Sequence, residues 1–414
     1  MLTAARLGAA ALSSALSSVL LTGLAAAPAL ADVPTPAIPE GLYGKGDPTY
    51  DGVWRQSLAL TALAGAKVTP ADSAVAWLTG QQCEDGGWPS FRAAGAACDA
   101  KFEDSNATAI AVQALLALGG HQDAADKGVN WLKANQNADG SWAYNPGNPG
   151  DANSTALAIS ALLAARTDPA TVAKSGKSAY DGLALYQLGC AAPADQRGAF
   201  AYQPTAPGGA LAPNSLATGQ AALAAAGGHL PVATTVRSDT APKALTCTDA
   251  AATGPVSRLD SGEAVAAYVT AQFASGGNHL TLTTPGAAPT PDYTATAWAA
   301  LGLIQSGHPQ QATDAVDWLT GQSATWTKNG TDAGATASLL LLTQAAHGDT
   351  APLTGQLTAL GPTPKATTAP APTTTSEPAH NDGIGQYWLI IVGGLVGIGG
   401  GLLLSLQRKR TPRP

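Results

Sequence analysis

The chain has 414 residues, 45% hydrophobic but only 5% aromatic and 12% charged, with 47 glycines and 29 prolines. Setting aside Arg6 and the four basic residues beyond position 407 leaves 16 Lys and Arg against 28 Asp and Glu, a formal −12. That balance excludes phosphate-backbone binding, which rests on dense Lys and Arg, so nucleic acid is not an expected partner.

Residues 1–31 read as a secretory signal: Arg6, an apolar stretch through Val19, Leu20 and Leu21, then the small-residue cleavage pattern Ala29-Leu30-Ala31. Residues 32–49 form an extended N-terminal segment, and 50–361 hold a repeat. Within it a segment recurs that opens on Asp or Asn, carries Thr four residues later and runs on in Ala and Leu: Asp104/Thr108, Asp151/Thr155, Asn214/Thr218, Asp292/Thr296 and Asp332/Thr336, with a weaker copy at Asp51. Asp and Asn are good N-caps, and Gly119, Gly227, Gly307 and Gly348 stand where several of these helices should end. Being Ala and Leu all round, these helices suit burial on every side.

A more polar, amphipathic helix type alternates with them, over 72–82, 123–136, 178–188, 261–273 and 313–322. Two alternating types describe an inner and an outer ring. Three long loops, 189–213, 229–260 and 277–291, interrupt the repeat, and recognition at one end of the ring would draw its specificity from them.

Four cysteines, Cys83, Cys98, Cys190 and Cys247, suggest two disulfides in an exported chain, with three connectivities open. Cys83–Cys98 with Cys190–Cys247 is preferred because it closes two loops locally. A four-thiolate metal site competes, but no CxxC pair supports it.

Residues 362–387 are a Pro/Thr-rich stalk without helical period. Trp388–Leu406 is an uncharged apolar run of transmembrane length, and 407–414 is a basic tail expected on the cytoplasmic side. No LPxTG-like signal precedes the run. The expectation is a single-pass protein of the cell membrane with its repeat domain outside.

The outer helices lead into a signature. Trp77-Leu78 is followed by Gln82, Gly86 and Trp88; Lys127-Gly128 and Trp131-Leu132 are followed by Gln136, Gly140 and Trp142. Looser copies lie at Tyr268-Val269, Gln272 and Gly276 and at Trp318-Leu319, Gln322 and Trp326. At these residues the chain resembles the prenyltransferase and squalene-oxidocyclase repeat family. The resemblance implies an all-α (α/α) toroid of about six inner and five to six outer helices. Trp77, Gln82, Trp88, Trp131, Gln136 and Trp142 read as structural, the glutamine bonding backbone at a neighbouring helix end and the tryptophan covering it.

The reactions known for that family lack their residues here. There is no DxDD acid, no cysteine on an inner helix for the prenyltransferase zinc, and no Gly-Cys-Gly-Glu-Gln thioester run. No Gly-x-Ser-x-Gly elbow appears either. No metal or other cofactor is expected. Related vitamin B12 carriers close a similar toroid with a β-domain, for which this chain has no segment.

Two groupings remain. Asp104, Asp151, Asn214, Asp292 and Asp332 are expected at one mouth of the toroid, as N-caps and as candidate ligand-binding or acid/base groups. His121, His229, His308 and His347 follow inner helices, where a cation would complement the dipole at the helix end. The expected function is a surface-anchored module that binds a small molecule (isoprenoid, glycan or corrinoid) or a membrane-protein partner. The alternative is a hydrolase, lyase or cyclase working through the acidic mouth.

Overall fold

The computed structural model describes residues 37–206, 208–233, 240–247, 254–283 and 286–365. The signal segment 1–31 and the apolar run 388–406 with its tail lie outside them, as does nearly all of the stalk. Among the described residues no helix is long and apolar enough to cross a membrane.

Six helices form the inner ring: α1 (Gly52–Gly65), α3 (Ser105–Leu118), α5 (Ala152–Ala164), α7 (Ser215–Ala225), α9 (Tyr293–Gln305) and α12 (Ala333–Ala345). Each touches the next, and α12 returns to α1, so the ring closes. Between them run the outer helices α2 (Asp72–Gly80), α4 (Gln122–Ala134), α6 (Ala179–Ala184), α8 (Arg258–Gly276), α10 (Pro309–Gly321) and α13 (Ala351–Ala359), with one short extra turn, α11 (Ser323–Trp326). The chain is not purely helical. Two short antiparallel hairpins, β1 (Ala173–Lys174) with β2 (Lys177–Ser178) and β3 (Thr281–Leu282) with β4 (Thr290–Pro291), sit in the connections.

The recurring Asp/Asn and Thr have separate tasks. Side chains of Asp104, Asp151, Asn214, Asp292 and Asp332 each accept the N–H three residues on, capping their helices. Asp51 makes no such cap; its carboxylate instead meets Arg55 at 2.7 Å. The Thr hydroxyls accept backbone N–H groups from the preceding connection: Thr108 from Trp88, Thr155 from Trp142, Thr218 from Phe200 and Thr296 from Leu280, at 2.9–3.0 Å. Those same four residues return their carbonyls to the cap N–H of Asp104, Asp151, Asn214 and Asp292. These four inner helices are thus locked to the chain entering them.

Gln82 Nε2 donates to Gly86 O and to Ala124 O in the first turn of α4, while Gln136 Nε2 donates to Gly140 O and Val172 O. Trp88 and Trp142 are fully buried, and their indoles donate to Leu78 O and Leu132 O at the ends of α2 and α4. Trp77 is half-buried against the core, whereas Trp131 donates to the Glu103 carboxylate at 2.7 Å. Trp142→Phe deletes one buried bond and leaves the Leu132 carbonyl with the Asn135 N–H alone. Chemical unfolding should show a loss of about 1 kcal/mol.

The repeat has a third full glutamine that the sequence pattern missed. Gln187 Nε2 donates to Gly198 O and Ser261 O, and Phe200 takes the tryptophan's place. The glutamine-to-glycine spacing is 11 residues here against 4 in the first two copies, and that insertion hid the match. The looser copy at Trp318 and Trp326 departs from the pattern: both rings stay half-buried and stack on Tyr293, with His279 against Trp318 at 4.3 Å.

Disulfides join Cys83 to Cys98 and Cys190 to Cys247. The second ties the loop after α6 to the loop after α7 across 57 residues. Cys190→Ser with Cys247→Ser should lower stability by roughly 3–4 kcal/mol, read as a shift in the denaturation midpoint under oxidising conditions.

The four histidines follow inner helices as expected, but two of them have a second position. His121 and His308 take the N-cap places of α4 and α10 without a side-chain cap, so each faces the start of one helix as well as the end of another. The buried His308 ring bonds Glu263 at 2.9 Å and Thr240 O at 3.1 Å. The left-handed residue ending α12 is His347, with φ 58°, rather than Gly348.

Candidate functional site

The starts of α3, α5, α7 and α9 bring Asp104, Asp151, Asn214 and Asp292 to the wall of one cavity of about 630 Å³. Asp332 does not line it. Its carboxylate pairs with Lys328 at 2.9 Å, one helical turn back. None of the four histidines, the cysteines or the repeat tryptophans and glutamines reaches this cavity.

The mouth holds more than its caps. Tyr50 and Trp54 come from the start of α1, Ser90, Tyr144 and Tyr202 from the connections, Asn153 from the first turn of α5 and Gln220 from the body of α7. Of the nine large hydrophobic side chains exposed among the described residues, five ring this opening: Tyr50, Tyr144, Tyr202, Leu216 and Leu282. A grouped exposed apolar rim around a polar interior marks an interaction site more than scattered single residues do. Loops 189–213 and 277–291 supply Tyr202 and Leu282. Loop 229–260 instead sends Leu230 through the ring, its N–H donating to Gln113 Oε1 of α3 at 2.9 Å. Since α3 and α7 are not ring neighbours, that bond crosses the interior and ties the far side.

The carboxylates differ in their surroundings. Burial pushes Asp104 up to about 6 against the pull of the Ala107 N–H and the Ser90 hydroxyl. Its Oδ2 accepts from Ser90 Oγ at 2.7 Å, and Ser90 Oγ lies 2.9 Å from Tyr144 OH, a line of three polar groups leading to the rim. Burial also raises Asp151, but both its oxygens serve α5: Oδ1 accepts from Ser154 N and Oδ2 from Ser154 Oγ, at 2.7 and 2.8 Å. Burial raises Asp292, opposed by the Ala295 N–H. For Asp332 burial pushes the same way, yet the Lys328 ammonium and the Ala335 N–H outweigh it and hold the carboxyl below its ordinary value.

Asn153 and Gln220 pair with each other in the cavity wall. They are 7% and 5% exposed, and Asn153 Nδ2 donates to Gln220 Oε1 at 2.8 Å. That bond leaves Asn153 Oδ1 and Gln220 Nε2 without a protein partner among the described residues. Asn106 Oδ1, also in the wall, is a buried acceptor with none. Sequence reading missed all three because they sit inside helices whose Ala/Leu pattern signals only packing.

A second cavity, about 670 Å³, lies between α10 and α13 and takes His347 but no aromatic residue. The group Cys83, Cys98 and Glu103 has metal-ligand spacing among the described residues, but both sulfurs are committed to a disulfide.

No curated protein matches the chain. A crystal structure of a protein from Actinoplanes is similar at 16% identity, covering 75% of this chain and 95% of that one, with a TM-score of 0.44. Residues 41–174 match the family model described as the squalene-hopene cyclase C-terminal domain. That stretch contains both full copies of the tryptophan and glutamine signature, so the repeat resemblance read from those residues is there a family match.

Proposed function

We propose that this domain is a ligand-binding module that takes a small molecule at the inner-helix N-terminal mouth. The observation carrying the reading is the polar wall of that cavity, where Asn106 Oδ1 is a buried acceptor with no partner and the paired Asn153 and Gln220 still offer one acceptor and one donor. Buried polar atoms are costly without partners, and a pocket with a few such groups is a default binding site. The module stands outside the cell, carried by the Pro/Thr-rich stalk on the 388–406 span. Two disulfides fit an oxidising compartment. The test is native mass spectrometry of protein isolated from its producing cell. A discrete adduct is expected on the wild type and absent from Thr294→Trp, which fills the cavity from the first turn of α9. An adduct retained on the filled variant places the ligand elsewhere, and a bare mass for both removes the reading.

A second reading, an acid/base enzyme at the same mouth, has one observation in its favour. Asp104 titrates near 6 and is linked through Ser90 to Tyr144. A general acid or base works best with a pKa near the working pH. Asp104→Asn keeps the cap geometry, as Asn214 shows. On the enzyme reading it removes turnover of the adduct's compound, and on the binding reading the compound is recovered unchanged from both proteins.

A further inference from the structure

The ligand class follows from what lines the mouth and from what lies beside it. Three carboxylates border the cavity and no Lys or Arg among the described residues does, so an anionic ligand meets only like charge. A hydrocarbon fares no better. It would seal Asn153 Oδ1 and Gln220 Nε2 from water with nothing to bond and leave Asn106 Oδ1 unmet. What remains is an uncharged ligand that offers both donors and acceptors to the interior and flat apolar faces to the rim. Hydroxyl groups meet the first demand, since each donates once and accepts twice. Trp54, Tyr144 and Tyr202 supply the second.

The mouth also has an outlet. A groove of about 970 Å³ is lined by Asn137, Asp139, Asn148, Tyr186 and Gln203 together with residues 149 and 150. Asp151 and Tyr202 belong to the cavity, while Gly150 and Gln203 belong to the groove, so the two meet at adjacent residues on two separate chain segments. Gln203 Nε2 donates to Gly150 O at 2.9 Å and holds those segments together. The groove repeats the mouth's chemistry of amides, a carboxylate and a tyrosine.

We infer that the ligand is a neutral oligosaccharide, one sugar unit seated on Asn153 and Gln220 between the rim aromatics and the following units running along the groove beside Gly150 and Gln203. This rests on the binding reading above and names its ligand. The experiment measures retention of full-length protein in mild detergent on neutral gluco-, manno-, galacto- and N-acetylglucosamine oligomers, with oligogalacturonate as the anionic probe and farnesol as the hydrocarbon probe. At least one neutral series should bind and tighten with chain length. Asn153→Leu with Gln220→Leu should weaken it about tenfold or more, and Tyr202→Ala, at a half-exposed site, should weaken it with the melting temperature unchanged. Asp332→Asn, outside the cavity, should leave binding as it is.

Absence of any neutral oligomer, equal retention of oligogalacturonate, or affinity untouched by both the double variant and Tyr202→Ala overturns the inference. Farnesol binding alone, abolished by Thr294→Trp, overturns the saccharide class and leaves the binding module standing. No adduct on the wild type and no bound probe remove both.

Discussion

Gln56→Leu is expected to destabilise the domain by about 3 kcal/mol or more, a loss measurable by chemical denaturation. The Gln56 side chain is fully buried and makes three bonds: it accepts from Tyr43 N at 2.8 Å and donates to Gly41 O at 2.9 Å and Ala74 O at 2.8 Å. Leucine fills the volume but leaves the Tyr43 N–H and the Gly41 carbonyl without their partner and removes a second bond from the Ala74 carbonyl of α2. The effect reaches beyond α1 because the segment held this way closes the outer ring. Gly44 N donates to Leu360 O after α13, and Gly41 lies against Ser73 of α2. The buried Arg55 fastens the same segment through Tyr43 O and Gly46 O. The first and last outer helices are therefore joined by residues that precede the repeat, and freeing them should expose both edges to hydrogen exchange together. A loss under 1 kcal/mol would mean that the segment is not part of the cooperative unit.

Asp104→Asn should stabilise the protein at neutral pH by up to about 3 kcal/mol, with the gain vanishing on acidification. The Asp104 carboxyl is raised to about 6 in the folded chain, against an ordinary 3.8. A raised carboxyl binds more protons folded than unfolded, so its contribution to stability falls as pH rises through this window. Well below 3.8 both states hold the proton and wild type and variant converge. Between 4 and 7 they separate, and above 7 the gap is constant. Asparagine keeps the cap to the Ala107 N–H without the buried charge. Denaturation midpoints at pH 4, 5.5 and 7.5 measure the difference, and a gap that does not change with pH would show that Asp104 is not the titrating group. A carboxyl held at this cost in stability beside a cavity fits a site kept for its ligand.

Much of the architecture was legible because its signals are local. An N-cap bonds a residue three positions away, so the Asp and Asn row marked five inner helices directly. The tryptophan and glutamine signature worked for the same reason, its partners lying within one connection and the next helix. Gln187 escaped because the insertion carrying Cys190 separates it from Gly198. The Thr at the fourth position was visible as a pattern but not as a function, since its partner comes from the preceding connection. The mouth was half legible. Four of its five expected residues line one cavity, and Asp332 stands apart with its carboxylate paired to Lys328. Tyr144 and Tyr202 come from connections of differing length, Asn153 from the first turn of α5 and Gln220 from the interior of α7, so no period announces them.

Whether the mouth is occupied when the protein comes from its own cell is the direct test. Hydroxyl-radical footprinting compares that material with the same protein stripped of ligand by unfolding and refolding. Tyr50, Tyr144 and Tyr202 should be protected together in the native material and modified after stripping, while exposed Phe102, away from the cavity, reacts equally in both. Equal modification of the three rim tyrosines before and after stripping would contradict a ligand at the mouth.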